Sequence, residues 1–159
     1  MIVADAAALR TALPRNQRLL GLDLGEKTIG LALSDPMLSV ASPVSTIKRS
    51  KFTADANALL KLVAERGVGG LVIGLPLNMD GSEGPRCQST RQFAANLLKL
   101  KDLPILFWDE RLSTMAVERE MIAHDVSRAK RDKAIDQAAA AFILQGALDA
   151  LGRTKASSD

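Results

Sequence analysis

The stretch 19-LLGLDLGEKTIGLALSD-35 decides how this chain is read. Two apolar runs, Leu19–Leu24 and Ile29–Leu33, flank the turn Gly25-Glu26-Lys27-Thr28. Apolar residues on both faces describe strands covered on both sides, with a turn signal between them. Inside the first run stands Asp23. Aspartate is disfavoured in strands, and a buried unpaired carboxylate is costly. The position therefore calls for a partner, a metal, or a strand end open to solvent. A hydrogen bond to local turn backbone would satisfy a lone Asp equally well. Two further carboxylates in equally awkward places, Glu110 and Asp136, tip the reading toward a site.

Outward from this hairpin, the spacing predicts strands at about Arg18–Leu24 and Ile29–Ser34. A third follows over Val40–Ile47, interrupted by Pro43 and so read as an edge. Short links between the three describe an antiparallel meander. The period then changes. Residues Thr53–Arg66 place Ala56, Leu59, Leu60 and Val63 on one helical face, and Gly67 closes the helix. The run Leu71–Leu75 is short and wholly apolar, as in a central parallel strand. A polar loop spans Pro76–Pro85. A helix follows over Arg86–Lys101 with Phe93, Leu97 and Leu100 inward, then a strand at Ile105–Trp108. Ser113 or Thr114 caps a helix running to about His124. Residues 126–133 read as a basic link, Ala134–Leu151 as a final helix and 152–159 as a frayed, flexible tail. Residues 1–16 are an accessory segment with a short helix over Ala6–Leu13. The order βββαβαβα describes an α/β domain over 17–151, with a five-stranded mixed sheet and helices on both faces.

Totals narrow the function classes. A chain of 159 residues, 47% hydrophobic and 25% charged, suits one soluble domain with a full core. Lys and Arg number 21 against 18 Asp and Glu, a mild excess compatible with a polyanionic partner. One Cys and one His leave no internal disulfide and argue against a Cys/His zinc site. No run approaches a membrane span, and the first residues lack the basic region of a signal peptide. The expected setting is the cytoplasm.

Parallel strands would bring Asp23 and Glu110 out at the same carboxyl-end edge, where open α/β sheets bind ligands. Asp136 stands in the first turn of the last helix, with Ala139, Ala140 and Ile143 as its helical neighbours. It therefore shares the apolar face. A first-turn Asp is also favoured by the helix dipole, but that does not explain its place on the inward face. Three converging carboxylates repel unless a cation joins them or some stay protonated. Oxygen-only ligands favour Mg²⁺ or Mn²⁺. Two such ions roughly 3.5–4 Å apart activate water and stabilise a leaving oxygen in phosphodiester cleavage. Asp109 is an alternative to Glu110; adjacent strand residues face opposite ways, so only one of them serves. His124 reads as a surface residue and Cys87 as inert.

With these residues in view, the chain resembles the YqgF/RuvX family, described both as Holliday junction resolvases and as pre-16S rRNA nucleases. The stretches that carry the resemblance are GLDLGEKTIGLALSDP (21–36), VIGLPLNMDGSEGPR (72–86), WDERLST (108–114) and DQAAAAFILQGALD (136–149). The resemblance implies an RNase H-like fold and a metal-dependent endonuclease, with Asp23, Glu110 and Asp136 as the catalytic and metal-binding acids. In that picture Asp23 bridges the metals, Glu110 holds one, and Asp136 holds or orients the second. One departure stands out. Many RNase H-like proteins carry an acid on the fourth strand, whereas LVIGLPL has none and the acid comes from the fifth.

Polar residues around this edge supply candidate nucleic-acid contacts. Lys27 lies in the first turn, Asn78 and Ser82 in the polar loop, Arg86 and Arg91 at the following helix start, and Arg111 beside Glu110. Arg128, Lys130, Arg131 and Lys133 concentrate charge before Asp136, as a mobile phosphate clamp or as a solvated link. Turn building, surface exposure or orientation of Glu110 account for several of these equally well. Aromatic residues are scarce, which favours reading of backbone shape over base stacking.

The leading expectation is a nuclease of structured nucleic acid, processing the 5′ end of precursor 16S rRNA, with ribosomal particles as a further expected partner. Resolution of branched DNA is the alternative. A resolvase cutting two symmetric strands needs a dimer; the expectation here is a monomer or weak homodimer. A strand–Asp–Gly turn also opens the phosphate site of actin-like ATPases, but those need two such lobes. A non-catalytic RNA-binding assembly factor is the third reading.

Overall fold

The computed structural model describes residues 1–110 and 128–158, and for 128–136 and 155–158 the backbone alone. In chain order the elements are β1 (Ile2–Val3), α1 (Ala6–Ala12), β2 (Arg18–Leu24), β3 (Thr28–Ser34), β4 (Ala41–Lys48), α2 (Phe52–Arg66), β5 (Val68–Leu75), α3 (Pro85–Leu100), β6 (Ile105–Asp109) and α4 (Arg128–Ser158). The expected helix from Ser113 or Thr114 to His124 lies outside the described residues.

The strands form one mixed sheet in the order β1-β6-β5-β2-β3-β4. The meander is as expected: β2 pairs antiparallel with β3, and β3 with β4, leaving β4 at the edge. β5 runs parallel to β2 on one side and to β6 on the other. The sheet therefore has six strands, not five. The additional strand is Ile2–Val3, which pairs parallel with Ile105 and Leu106. Two residues are too short for a periodic signal, and it is the free edge of β6 that orders them. The Met1 ammonium adds bonds to Asp102 Oδ1 at 2.6 Å and to the Leu103 carbonyl at 2.8 Å.

Each sheet face has its own core. On one side α2 and α3 pack Leu59, Val63, Phe93 and Leu97 against Leu20, Leu22, Leu71 and Ile73. On the other, α1 and α4 pack Leu9, Ile143, Leu144 and Leu148 against Leu19, Val72 and Leu106. Burying a side chain of this size contributes about 2 kcal/mol of transfer free energy. Such double coverage is why β2 and β5 read as continuous apolar runs rather than alternating ones. Gly67 ends α2 in the left-handed conformation, φ 64°, as its position after the apolar period predicts. Leu100, expected inward, is exposed, because the last turn of α3 runs beyond the sheet.

The final helix differs most from expectation. α4 begins at Arg128, so the basic stretch 128–133 is helical rather than a link. Arg, Ala and Lys are strong helix formers, and the stretch contains neither Gly nor Pro. Its lack of apolar period concerned burial, not backbone conformation. At its other end the helix extends through the expected tail to Ser158.

Candidate active site

β2, β5, β6 and β1 point the same way, so Leu24, Leu75 and Asp109 end at one edge of the sheet. Asp23 lies one residue before that edge. Alternation from Leu19 and Gly21 puts it on the α4 face, since a Cβ at Gly21 would meet Leu144 Cβ at 2.8 Å. Glu110 follows the last residue of β6 and turns inward: it is buried, while Asp109 is exposed. Of the two neighbours left open, Glu110 is therefore the one facing the protein interior.

Asp23 and Glu110 share a side-chain hydrogen bond. The Glu110 carboxyl is held above its ordinary range. Burial is the largest cause; the bond to Asp23 and the charge of Arg86 oppose it, and nearby Asp109 adds to it. Glu110 fits because β5 carries Gly74 beneath it. An alanine Cβ there would lie 2.5 Å from Glu110 Oε2 and 2.5 Å from Ile143 Cδ1. The acid missing from β5 is thus matched by space on β5 for an acid from β6. A lone Gly within an apolar strand does signal a close approach, and the sequence reading missed it.

The third acid is approached through the backbone. Register rows join Asp23 to Gly30 and Gly30 to Thr46 across the meander. Gln137 Nε2 donates to Thr46 Oγ1 at 3.0 Å, pinning α4 at this level. Further along, α4 rests on Gly21 through Ala140 and Leu144. The helix thus descends from the carboxyl-end edge toward the amino-end edge and passes the Asp23 row next to residue 136. Because α4 begins at Arg128, Asp136 lies past its first turn rather than in it, as the shorter expected helix had it. The Asp136 side chain lies outside the described residues, as do the side chains of Arg111, Arg128, Lys130, Arg131 and Lys133. Among the described residues no group of three or more His, Cys, Asp or Glu is gathered.

Asn78, Arg86 and Glu110 line one cavity of about 280 Å³ at this edge. Arg86 Nη2 donates to the Leu24 carbonyl at 3.4 Å. Ser82 is engaged within its own loop, donating to Asp80 Oδ1 at 2.5 Å and accepting from Asn78 Nδ2 at 3.0 Å. Arg91 is committed to Glu83 through two bonds of 2.7 and 2.9 Å and lies 4.9 Å over the Phe107 ring. Lys27 is exposed in the β2–β3 turn. Cys87 is buried, with Sγ 3.2 Å from the Pro76 carbonyl, a structural position.

Comparison with known proteins agrees with this architecture. Residues 17–150 match the model of the family described as "RuvX: Holliday junction resolvase". A protein of Roseobacter denitrificans named "Putative pre-16S rRNA nuclease" is 59% identical, covering 100% of this chain and 99% of its own. One of the same name from Rhodopseudomonas palustris is 68% identical, covering 87% of this chain and 86% of its own. The fold is similar to that of Thermus thermophilus RuvC, solved in complex with a Holliday junction substrate: TM-score 0.55 at 14% identity, covering 87% of this chain and 97% of that one. It is also similar to the yeast mitochondrial Holliday junction resolvase Ydc2, with TM-score 0.53 at 13% identity, covering 93% and 84%. With the family model spanning the whole sheet-and-helix unit and near-full-length relatives at this identity, the chain belongs to the RuvX family.

Proposed function

We propose that this chain is a divalent-metal-dependent endonuclease that hydrolyses phosphodiester bonds in structured nucleic acid, processing the 5′ end of precursor 16S rRNA in the cytoplasm. The observation that carries the chemistry is the Asp23–Glu110 pair at the carboxyl-end edge, with Gly74 making room for it. Both donors are oxygens, and a hard cation would offset the charge that burial makes costly on Glu110. The donor set therefore fits Mg²⁺ or Mn²⁺, held by Asp23 and Glu110 with Asp136 as the third ligand. When bound, the metal supplies an activated water and offsets charge on the leaving oxygen.

The chain's own groups do the rest. Burial raises the affinity of Glu110 for a proton, so a bound cation would compete with a proton for this carboxyl. Ile143 of α4 is buried and meets the same space above Gly74 as Glu110, giving the acid an apolar neighbour. Arg86, lining the Glu110 cavity, supplies positive charge toward a phosphate. Precursor rRNA is the favoured substrate because near-full-length relatives bear that name. Cleavage of branched DNA is the second reading, supported by the family's own description. It requires two sites, hence a dimer.

The test is Mn²⁺-dependent cleavage by wild type and Asp23→Asn, on a precursor-rRNA fragment and on a four-way DNA junction. Cutting of the RNA alone, abolished in the variant, is expected. Symmetric nicks in the junction, with the RNA left intact, would replace the rRNA reading with the resolvase. Binding without any variant-sensitive cleavage would reduce the protein to an assembly factor.

A further inference from the structure

Around the β2 end from the acids, on the α2–α3 side, lies a second, polar cavity of about 420 Å³. It is lined by Glu26, Arg49, Ser50, Arg86, Ser89 and Thr90. Its two cations are tethered to consecutive carbonyls directly after Asp23. Arg86 Nη2 donates to the Leu24 carbonyl at 3.4 Å, and Arg49 Nη1 to the Gly25 carbonyl at 2.6 Å. Arg49 is further fixed by its own N–H, 2.8 Å from the Lys27 carbonyl, and by Phe93, whose ring lies 5.9 Å below the guanidinium. Ser50 is set by the buried Asp55, which accepts from its N–H at 3.1 Å and its hydroxyl at 3.3 Å.

Neither guanidinium forms a salt bridge among the described residues, and Glu26 is the one acid lining the cavity. A guanidinium carries five donors in a fixed fork, and the backbone bonds described engage one on each Arg. Two half-satisfied forks beside serine hydroxyls suit a tetrahedral oxyanion. The cavity is open, as a chain of phosphates passing through it requires. Arg86 also lines the cavity that contains Glu110, so the two cavities are neighbours that share this side chain.

We propose that Arg49 and Arg86 form a phosphate subsite that holds a backbone phosphate of the substrate strand, flanking the bond cut at Asp23 and Glu110. This rests on the nuclease reading above and extends it to where the strand leaves the acids. Arg49 is then a positioning residue, carrying no chemistry itself.

The test is binding of the same precursor-rRNA fragment in EDTA, followed by fluorescence anisotropy over a range of salt. Each phosphate contact contributes about 0.7–0.9 to the slope of log K against log salt. Arg49→Gln is expected to flatten the slope by about that amount, and to weaken binding roughly tenfold at fixed salt regardless of sequence. Because Arg49 also packs on Phe93, Ser89→Glu serves as a second variant: it places a negative charge at an exposed position in the cavity lining and is expected to weaken binding with an unchanged melting temperature. Lys61→Gln, on exposed α2 surface, should leave binding unchanged. If wild type binds and cuts while both cavity variants keep its affinity and slope, the subsite is overturned and the nuclease reading stands. An Arg49→Gln effect accompanied by lowered melting, with Ser89→Glu unchanged, marks a structural role and also overturns it. Wild type that binds no nucleic acid overturns both.

Discussion

Gly74 and Glu110 occupy the same space from two neighbouring strands: a Cβ on residue 74 would lie 2.5 Å from Glu110 Oε2. Gly74→Ala must therefore displace Glu110, Ile143 or both. Overpacking of this kind costs about 1–3 kcal/mol. A shift of a catalytic group by about 1 Å costs on the order of a hundredfold in rate. The expected outcome is cleavage reduced about a hundredfold, with a folded protein of lowered urea midpoint. Gly152→Ala is the control, since among the described residues nothing outside its own stretch of helix lies within 4 Å of a Cβ there; replacing a helical Gly should leave stability equal or higher by up to about 1 kcal/mol. Full activity in Gly74→Ala would show that Glu110 does not depend on that space.

Glu110 predicts a pH and metal dependence of stability. Its folded proton affinity is raised, so the protonated form is the one favoured by folding. Its contribution is fully present below the ordinary glutamate value of 4.5 and is lost as pH rises through the raised folded value. In metal-free buffer, Glu110→Gln should therefore melt higher than wild type at pH 7 and no higher near pH 4. Added Mn²⁺ should raise the wild-type melting temperature at pH 7 and leave the variant nearly unmoved. Parallel melting curves for the two proteins at every pH would contradict this account.

Gln137 predicts how the third acid is placed. Its bond to Thr46 holds α4 against β4. Gln137→Ala should cost about 1 kcal/mol for the lost hydrogen bond. Its effect on cleavage should exceed its effect on stability, because the stretch of α4 bearing Asp136 loses its anchor. We expect kcat reduced roughly tenfold with KM little changed, the pattern of a misplaced catalytic group. A purely structural role would lower the melting temperature and leave kcat intact at low temperature.

Asp35 makes a prediction remote from the site. Its carboxylate accepts from Ser39 N–H and hydroxyl at 2.7 Å each and from Val40 N–H at 2.9 Å. Those bonds, Val40 first, hold it down to about 2 from an ordinary 3.8. The stabilisation is present above 3.8 and lost as pH falls toward 2. Asp35→Ala should cost about 1 kcal/mol at pH 7, as for other side chains that satisfy turn N–H groups. The deficit should shrink steadily in acid denaturation below pH 4, with cleavage at pH 7 unaffected.

Much was legible because the signals were local. Unbroken apolar runs in 19–24 and 71–75 described doubly covered strands. Gly67 marked a helix end because only the left-handed conformation closes a helix that way. Asp23 stood out as a charge inside a buried run. Ile2–Val3 escaped because a two-residue strand has no period, and the start of α4 escaped because a charged helix without an apolar face resembles a loop. Gly74 was visible as a glycine in a strand, but its meaning depends on what lies above it.

By itself the sequence determined the meander, the following helix–strand alternation, and the residue types able to hold a hard cation. Those follow from backbone propensity and hydrophobic period, which act over a few residues. Which of Asp109 and Glu110 turns inward, the carboxyl pair that Glu110 makes with Asp23, the passage of α4 over Gly21, and the placing of Arg49 and Arg86 on one cavity were decided only by tertiary structure. Each joins residues far apart in the chain, whose contact depends on strand order, register and the room left by a missing side chain.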